Sequence, residues 1–260
     1  MYNNETIYNN LMTILRKEKE GKTITENQFN DLLLQCSWEI ANTEHEKFER
    51  DQVSIDIFRS LLKSVSVSLT TGVGDFVSAI STGVYWHSIY AYHTDSTYGQ
   101  TSIDLVTSNQ YNLKLSSDLL QPTVVFPIAK IEGDDINVFP TSITTVVLGY
   151  LEEPEDPYFD YYYDANDEIK YLTPYTGIPY TLQTGESYVD KDDGSVLGAS
   201  DTIGSISGGD DADNKSTELW LPEGERYKVL YCILQKMGIA LNEQDAVQYG
   251  MVEAQKESVR

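Results

Sequence analysis

The sequence predicts an α+β fold: N-terminal helices, a central mostly antiparallel sheet, a long acidic loop and a C-terminal helix pair. Three observations carry that expectation. Apolar residues recur at steps of three and four through the first sixty positions, the mark of amphipathic helices. In SVSVSLTT (64–71) the period drops to two, as a half-buried strand requires. Between 190 and 216 the chain is rich in glycine, serine and aspartate before helical spacing resumes near 227. The regions that follow are a helical region (1–64), a β-rich body (65–189), an acidic loop (190–216) and a C-terminal region (217–260).

In residues 5–20, Ile7, Leu11, Ile14 and Leu15 share one helical face, and Gly21 ends the run. Thr25 and Gln28 have the spacing of a capping box before a longer helix whose inward stripe is Phe29, Leu32, Leu33, Cys36 and Ile40. Glu39, Glu44, Glu46, Lys47, Glu49 and Arg50 are expected on its wet face. A third helix is predicted over Val53–Leu62, with Ile57, Phe58, Leu61 and Leu62 inward. Val65, Val67 and Leu69 then form the inward side of the first strand. GVYWHSIYAYH (83–93) and TSIDLVT (101–107) read as two more strands, with Ser108 capping a short helix through Lys114. Three further strands follow in TVVFPIAKI, DINVF and SITTVVLGY, the first two joined by a two-residue turn at Gly133-Asp134. Pro127 marks an edge or a bulge.

From Leu151 onward the chain turns acidic and aromatic. Residues 151–225 carry 19 acids against 3 lysines, a net −16, out of −23 for the whole chain. Eight of the 19 tyrosines lie between Tyr158 and Tyr188. The 190–216 stretch has too few large apolar residues to offset its ordering entropy, so it is expected to be mobile. Glu218–Leu221 alternate like a short strand, and Pro222 suits a helix start. Tyr227, Leu230, Tyr231, Leu234 and Met237 then form a predicted inward stripe, with Gly238 as C-cap. Asn242 and Asp245 open a last helix with Val247, Met251 and Ala254 on one side.

Composition excludes several function classes. A chain this acidic does not grip phosphate backbones, since that affinity comes from Lys and Arg displacing counterions. It suits a solvated surface, or a passage through which nucleic acid slides without sticking. No apolar run reaches membrane-spanning length, and MYNNETIYNN is no secretory signal. Cys36 and Cys232 each sit among apolar residues in a predicted helix. That favours two small buried hydrophobes in a reducing compartment over a disulfide or a reactive thiol.

No phosphate cradle occurs: GVGDFVSAISTG lacks the dinucleotide spacing. His45, His87 and His93 are expected to be ordinary half-buried side chains, not zinc ligands. The acids near 190–213 fail the EF-hand pattern, because Val189 and Lys191 fall on ligand positions when Gly194 is the turn glycine; loose calcium binding by a flexible loop stays open. Acids with tyrosines also suit a sugar site, but the combination fits a sticky protein interface better. No catalytic residue, cofactor or metal site is predicted, and the chain is not expected to be an enzyme.

One stretch carries a family resemblance. In INVFPTSITTVVLGYLEEPEDPYFDY, the residues Val138, Phe139, Pro140, Ile143, Val146, Leu148, Tyr150, Leu151, Pro154 and Pro157 match a pattern of tailed-phage neck proteins. There, a strand ending in an aromatic-proline pair leads to a strand of type I-x-x-V-x-L-x-Y-L and then to charged residues and prolines. Glu218, Leu219, Leu221, Pro222, Gly238-Ile239 and the closing Gln255, Lys256 and Glu257 fit the same pattern, as does IDLVTSNQYNLKLSS with Pro122 and Phe126-Pro127. The chain resembles the ring or adaptor proteins of crAss-like and related Bacteroidetes phages over about 100–175 and 217–260. The long acidic loop is an insertion relative to that pattern.

The resemblance implies a structural virion protein of the head–tail junction, made in the bacterial cytoplasm. Twelve copies would form a ring between portal and tail-side neck proteins, with genomic DNA passing through unbound. Tyr158, Phe159, Tyr161, Tyr162, Tyr163, Gln255, Lys256 and Arg260 are the interface residues this implies, with the Pro-acid-Tyr segment reaching across to a neighbour or to the portal. The rival reading is a carbohydrate-binding or glycan-degrading virion or secreted protein using the same Tyr- and acid-rich segment.

Overall fold

A computed structural model describes residues 3–18, 24–48, 52–117 and 121–237. The fold is α+β, with a large, mostly antiparallel sheet. Helices are α1 (Asn4–Glu18), α2 (Glu26–His45), α3 (Gln52–Ile57), α4 (Ser108–Leu115) and α5 (Tyr227–Lys236). The main strands are β1 (Leu62–Ser68), β2 (Val73–Asp75), β3 (Tyr85–Asp95), β4 (Gly99–Leu105), β5 (Ile128–Glu132), β6 (Asp135–Phe139) and β7 (Thr145–Glu152). Seven short strands follow: β8 (Tyr161–Tyr163), β9 (Ile169–Tyr171), β10 (Tyr180–Thr181), β11 (Tyr188–Val189), β12 (Val196–Leu197), β13 (Thr202–Gly204) and β14 (Ala212–Asp213). The chain divides into two compact units, Phe58–Pro154 and Met1–Ile57 with Glu155–Arg260. The helical-to-sheet boundary thus falls at residue 58 and not 64, and the sheet unit ends at 154 and not 189.

In the sheet unit the strand order is β1-β7-β3-β4-β5-β6-β2. Every pairing is antiparallel except β4 with β5. The first and last strands of that order are consecutive in sequence, and Thr70 N–H donates to Val73 O across the link at 2.8 Å. The sheet therefore curls back toward its own beginning. Gly74 makes the approach possible: a Cβ there would lie 2.7 Å from Val67 Cγ1 and 2.8 Å from Leu69 Cδ2. Inside the curl sit Val67, Leu69, Phe76, Ala91, Ile103, Ala129, Ile136, Val138, Ile143, Val146 and Leu148. Their alternation along each strand is the period-two pattern legible in the sequence.

Several expectations hold here with small adjustments. The Gly133-Asp134 turn joins β5 to β6 with Glu132 opposite Asp135, and Gly133 takes φ +62°, where a side chain would be strained. Pro127 lies just before β5, not within it. The short helix α4 is capped by Thr107, not Ser108: Thr107 Oγ1 accepts Gln110 N–H, and Gln110 Oε1 accepts Thr107 N–H in return. The third predicted helix stops at Ile57; a 3-10 turn over Phe58–Ser60 buries Phe58, and Leu62 already belongs to β1.

In the second unit α1, α2 and α5 share one core. Ile7, Leu11 and Leu15 meet Phe29, Leu33 and Cys36, and Leu230, Ile233 and Leu234 complete it. The capping box of Thr25 and Gln28 is formed. The buried face of α5 is rotated from the predicted stripe: Val229, Leu230, Ile233 and Leu234 are buried, while Tyr227 and Tyr231 are half-exposed. Glu44 is not on a wet face; it is buried and paired with Lys228 Nζ at 3.0 Å. Glu218–Leu221 form no strand; only Thr217 bridges, to Tyr158. Gly238 and the predicted last helix lie outside the described residues.

Two expectations are overturned. Cys36 and Cys232 form a disulfide between α2 and α5, with Cα atoms 5.8 Å apart. They are not two separate thiols, and the bond does not fit the reducing compartment expected from them. A residue spacing of 196 gave no hint of the contact.

Residues 190–216 are not without secondary structure. They contain β12, β13 and β14, and Ile203 and Ala212 join Leu172, Leu182 and Tyr188 in a small core of their own. The acids do the ordering. Asp190 accepts Asp192 N–H (2.7 Å), Asp193 accepts Ser195 N–H (2.8 Å) and Asp201 accepts Gly198 N–H (2.8 Å). Asp210 accepts Ser205 N–H (2.7 Å), and Asp211 accepts Thr202 N–H (2.7 Å). Each carboxylate satisfies backbone donors that a sheet ladder would otherwise have to meet. Composition rules count these aspartates as solvating charge and miss that use.

Candidate functional site

The aromatic segment Tyr158–Tyr163 is where the implied interface residues gather, and its backbone is held on both sides. Tyr158 and Thr217 exchange N–H···O bonds of 3.0 Å each way. Asn30 on α2 does the same for Phe159: its Nδ2 donates to Phe159 O (3.1 Å) and its Oδ1 accepts Phe159 N–H (2.8 Å). One asparagine thus stands in for a strand partner. Further on, Tyr161–Tyr163 pair antiparallel with β9 as β8.

The side chains turn inward more than the sequence suggests. Phe159 is 1% exposed, stacked on Tyr8 (4.8 Å between ring centres) and Tyr171 (5.2 Å), with Phe29 edge-on at 5.5 Å. Tyr162 packs on Tyr180 at 4.9 Å, and Tyr161 meets Tyr163 edge-on at 5.7 Å. Tyr158, Tyr161, Tyr162 and Tyr163 are all half-buried. The rings of the segment thus also complete two cores of this unit. Gln255, Lys256 and Arg260 lie outside the described residues.

At the centre is Asp160, fully buried, which sequence reasoning passed over. Its Oδ2 accepts Tyr188 O–H (2.9 Å) and Lys215 N–H (3.1 Å), and its Oδ1 accepts Tyr161 N–H (3.0 Å). Lys191 Nζ stands 4.0 Å from Oδ1, 4.1 Å over the Tyr161 ring and 5.0 Å over that of Tyr188. A lysine held between two tyrosine faces gains a cation–π contact in place of water. Burial pushes the Asp160 carboxyl up despite its hydrogen bonds, and burial pulls the Lys191 ammonium down despite Asp160. Burial likewise raises the Tyr161 and Tyr188 hydroxyls. Both carboxylate oxygens are occupied by this unit's own donors. Such a cluster fastens β8, β11 and the backbone at Lys215; it presents no free base or nucleophile.

The other candidates for chemistry behave as packing residues. His93 is 4% exposed, with Nε2 2.9 Å from Val124 O, and His45 ends α2 half-buried. Among the described residues no group of three or more His, Cys, Asp or Glu side chains is placed to hold a metal ion. No described helix is long and apolar enough to cross a membrane. The sequence signal that could have found Asp160 is its setting: one carboxylate inside PYFDYYY, where solvated acids are not expected.

No protein-family model matches this chain, and no curated protein matches it.

Proposed function

We propose that this chain is a structural virion protein, not an enzyme, whose copies form a ring at the head–tail junction of a tailed phage. The ring bridges portal and tail and continues the DNA channel. The observation that carries the reading is the resemblance together with where its residues lie. Val138, Ile143, Val146 and Leu148, which carry the resemblance, share the core of the curled sheet, and this supports reading the sheet unit as the body of a ring subunit. A ring subunit needs such a body to hold complementary flanks at a fixed angle. The charge of −23 suits a channel wall that repels the phosphate backbone.

The glycan reading loses support from the acids themselves. Asp160, inside the Tyr-rich segment, is sealed from solvent, and Asp190 is buried as well. A glycosidase needs two carboxyl groups open to the sugar on either side of one bond.

Electron microscopy of the chain with the portal protein of the same phage tests the proposal. A ring stacked on the narrow end of the portal is the expected result. Particles that stay separate at every salt and protein concentration, with the chain monomeric, would overturn it; binding on a glycan array would then favour the rival.

A further inference from the structure

Among the described residues, two stretches of the curled sheet's hydrogen-bonding edge have no neighbouring strand. Along a strand, the N–H and C=O of alternate residues point to the same side. In β4, Asp104 N–H donates to Pro127 O at 3.0 Å on the β5 side, so Gln100 and Ser102 point the same way. Yet β5 pairs only with Asp104 and Leu105, while β3 takes Gly99–Ile103 on the opposite side. The backbone groups of Gln100 and Ser102 therefore have no partner strand among the described residues. In β1, Leu69 N–H donates to Thr144 O (2.8 Å) and Leu61 O accepts Glu152 N–H (2.9 Å), both toward the β7 side. Leu62, Ser64 and Ser66 consequently point away from β7, and β2 reaches this edge only at Thr70.

The surroundings of the β4 edge are unusual for a surface. Tyr98 (61% exposed) immediately precedes it, and Phe126 (76%) lies two residues before Ile128, which pairs with Asp104. Leu113 (68%) is on α4, eight residues beyond the strand's end. Natural edges are usually guarded by lysine, proline or inward charge. The stretch GQTSI (99–103) has none of these, and LKSVSVS (62–68) has one lysine and no acid. Lys63 is paired with Glu152 at 3.6 Å, so both stretches are close to neutral; in a chain of net charge −23 they are where two copies approach without acid facing acid.

We propose that the free edge of β4 in one copy pairs with the free edge of β1 in a second copy, so that the sheet continues from copy to copy and the incoming strand covers Tyr98 and Phe126. The contact joins two different surfaces, so it is head-to-tail and propagates until the rotation closes. It rests on the ring reading above and names the surface that reading needs.

Sedimentation velocity and native mass spectrometry on Ser102→Pro and Ser64→Pro test it. Each proline removes one outward N–H that the fold itself does not use. Wild type is expected to assemble, and each variant alone to associate about tenfold more weakly or worse, as the loss of main-chain bonds at a short edge predicts. Mixed together, the two variants are expected to form one-to-one dimers that grow no further, since Ser64→Pro keeps an intact β4 edge and Ser102→Pro an intact β1 edge. Circular dichroism checks folding; if a proline variant is unfolded, Phe126→Asp and Ser66→Asp, which leave the backbone intact, take its place. Full-size assemblies from folded variants of both edges would overturn the edge pairing and leave the ring reading standing. A wild-type chain that is monomeric even with portal protein would overturn both.

Discussion

Asp160 shows how a single side chain holds several segments together. Replacing it with alanine strips the acceptor from Lys215 N–H, leaves Tyr188 O–H only its longer contact with Asp213 O (3.3 Å) and leaves Lys191 caged without its carboxylate. The expected loss is about 3 kcal/mol, the usual effect of breaking a buried charged cluster from one side. Urea unfolding of Asp160→Ala measures it, and a loss below about 1 kcal/mol would show that the cluster is dispensable. The pH dependence separates two kinds of aspartate. The N–H groups of Glu168 and Asn166 hold Asp164 below its ordinary 3.8, and that of Ser195 does the same for Asp193. Their folded values are depressed, so their contribution is present above pH 3.8 and is lost as pH falls through those values. Asp160, raised by burial, has the opposite sign: its contribution is full below pH 3.8 and fades as pH rises through its folded value. Unfolding midpoints between acid and neutral pH should therefore fall less steeply on acidification for Asp164→Asn/Asp193→Asn than for wild type. An unchanged acid slope would mean that these turns are not what acid breaks.

At the level of elements, local signals and their structural outcomes correspond closely wherever the determinant lies within a few residues. The capping box at Thr25 is one such case, because its two bonds span three residues. Thr25→Ala is expected to destabilise the helical unit by about 1 kcal/mol, read from the midpoint of chemical denaturation. The β5–β6 turn is another. Gly133 has open space where a Cβ would go, but its φ is +62°, so Gly133→Ala tests conformation alone and should cost the sheet unit about 1 kcal/mol. A neutral result would show that the turn relaxes to another type. The predicted α5 stripe held at Leu230 and Leu234 and missed at its two tyrosines for a related reason. Helical spacing identifies a band of apolar positions, but in YKVLYCIL both Tyr227/Tyr231 and Val229/Ile233 satisfy it, and contact with α1 and α2 selected the second.

At the scale of the whole molecule, two separately cored units share one chain, and only one of them carries a covalent staple. The Cys36–Cys232 bond closes a sequence separation of 196 residues and ties α2 to α5 within the helical unit; the sheet unit, Phe58–Pro154, contains no cysteine. Reduction, or Cys232→Ser, is expected to lower the stability of the helical unit by about 2–5 kcal/mol and to leave the sheet unit unchanged. Calorimetry with and without dithiothreitol should show one transition moving and the other staying. Both transitions moving together would mean that the units unfold as one.

What the sequence by itself determined is what short-range physics decides. The inward Val67 and Leu69 of the first strand, the Gly133 turn, the Thr25 capping box and the α1 and α2 core stripes follow from periods of 2 and 3.6 and from local hydrogen bonding. The tertiary structure alone decided the rest. A disulfide across 196 residues, a carboxylate buried at Asp160 and a glycine-aspartate stretch ordered by its own acids depend on which distant segments meet. An aspartate bonded to a backbone N–H and one solvated by water are the same letter in a sequence. They differ only in whether the fold has brought a donor within 3 Å, as it has for Asp190 at 2.7 Å.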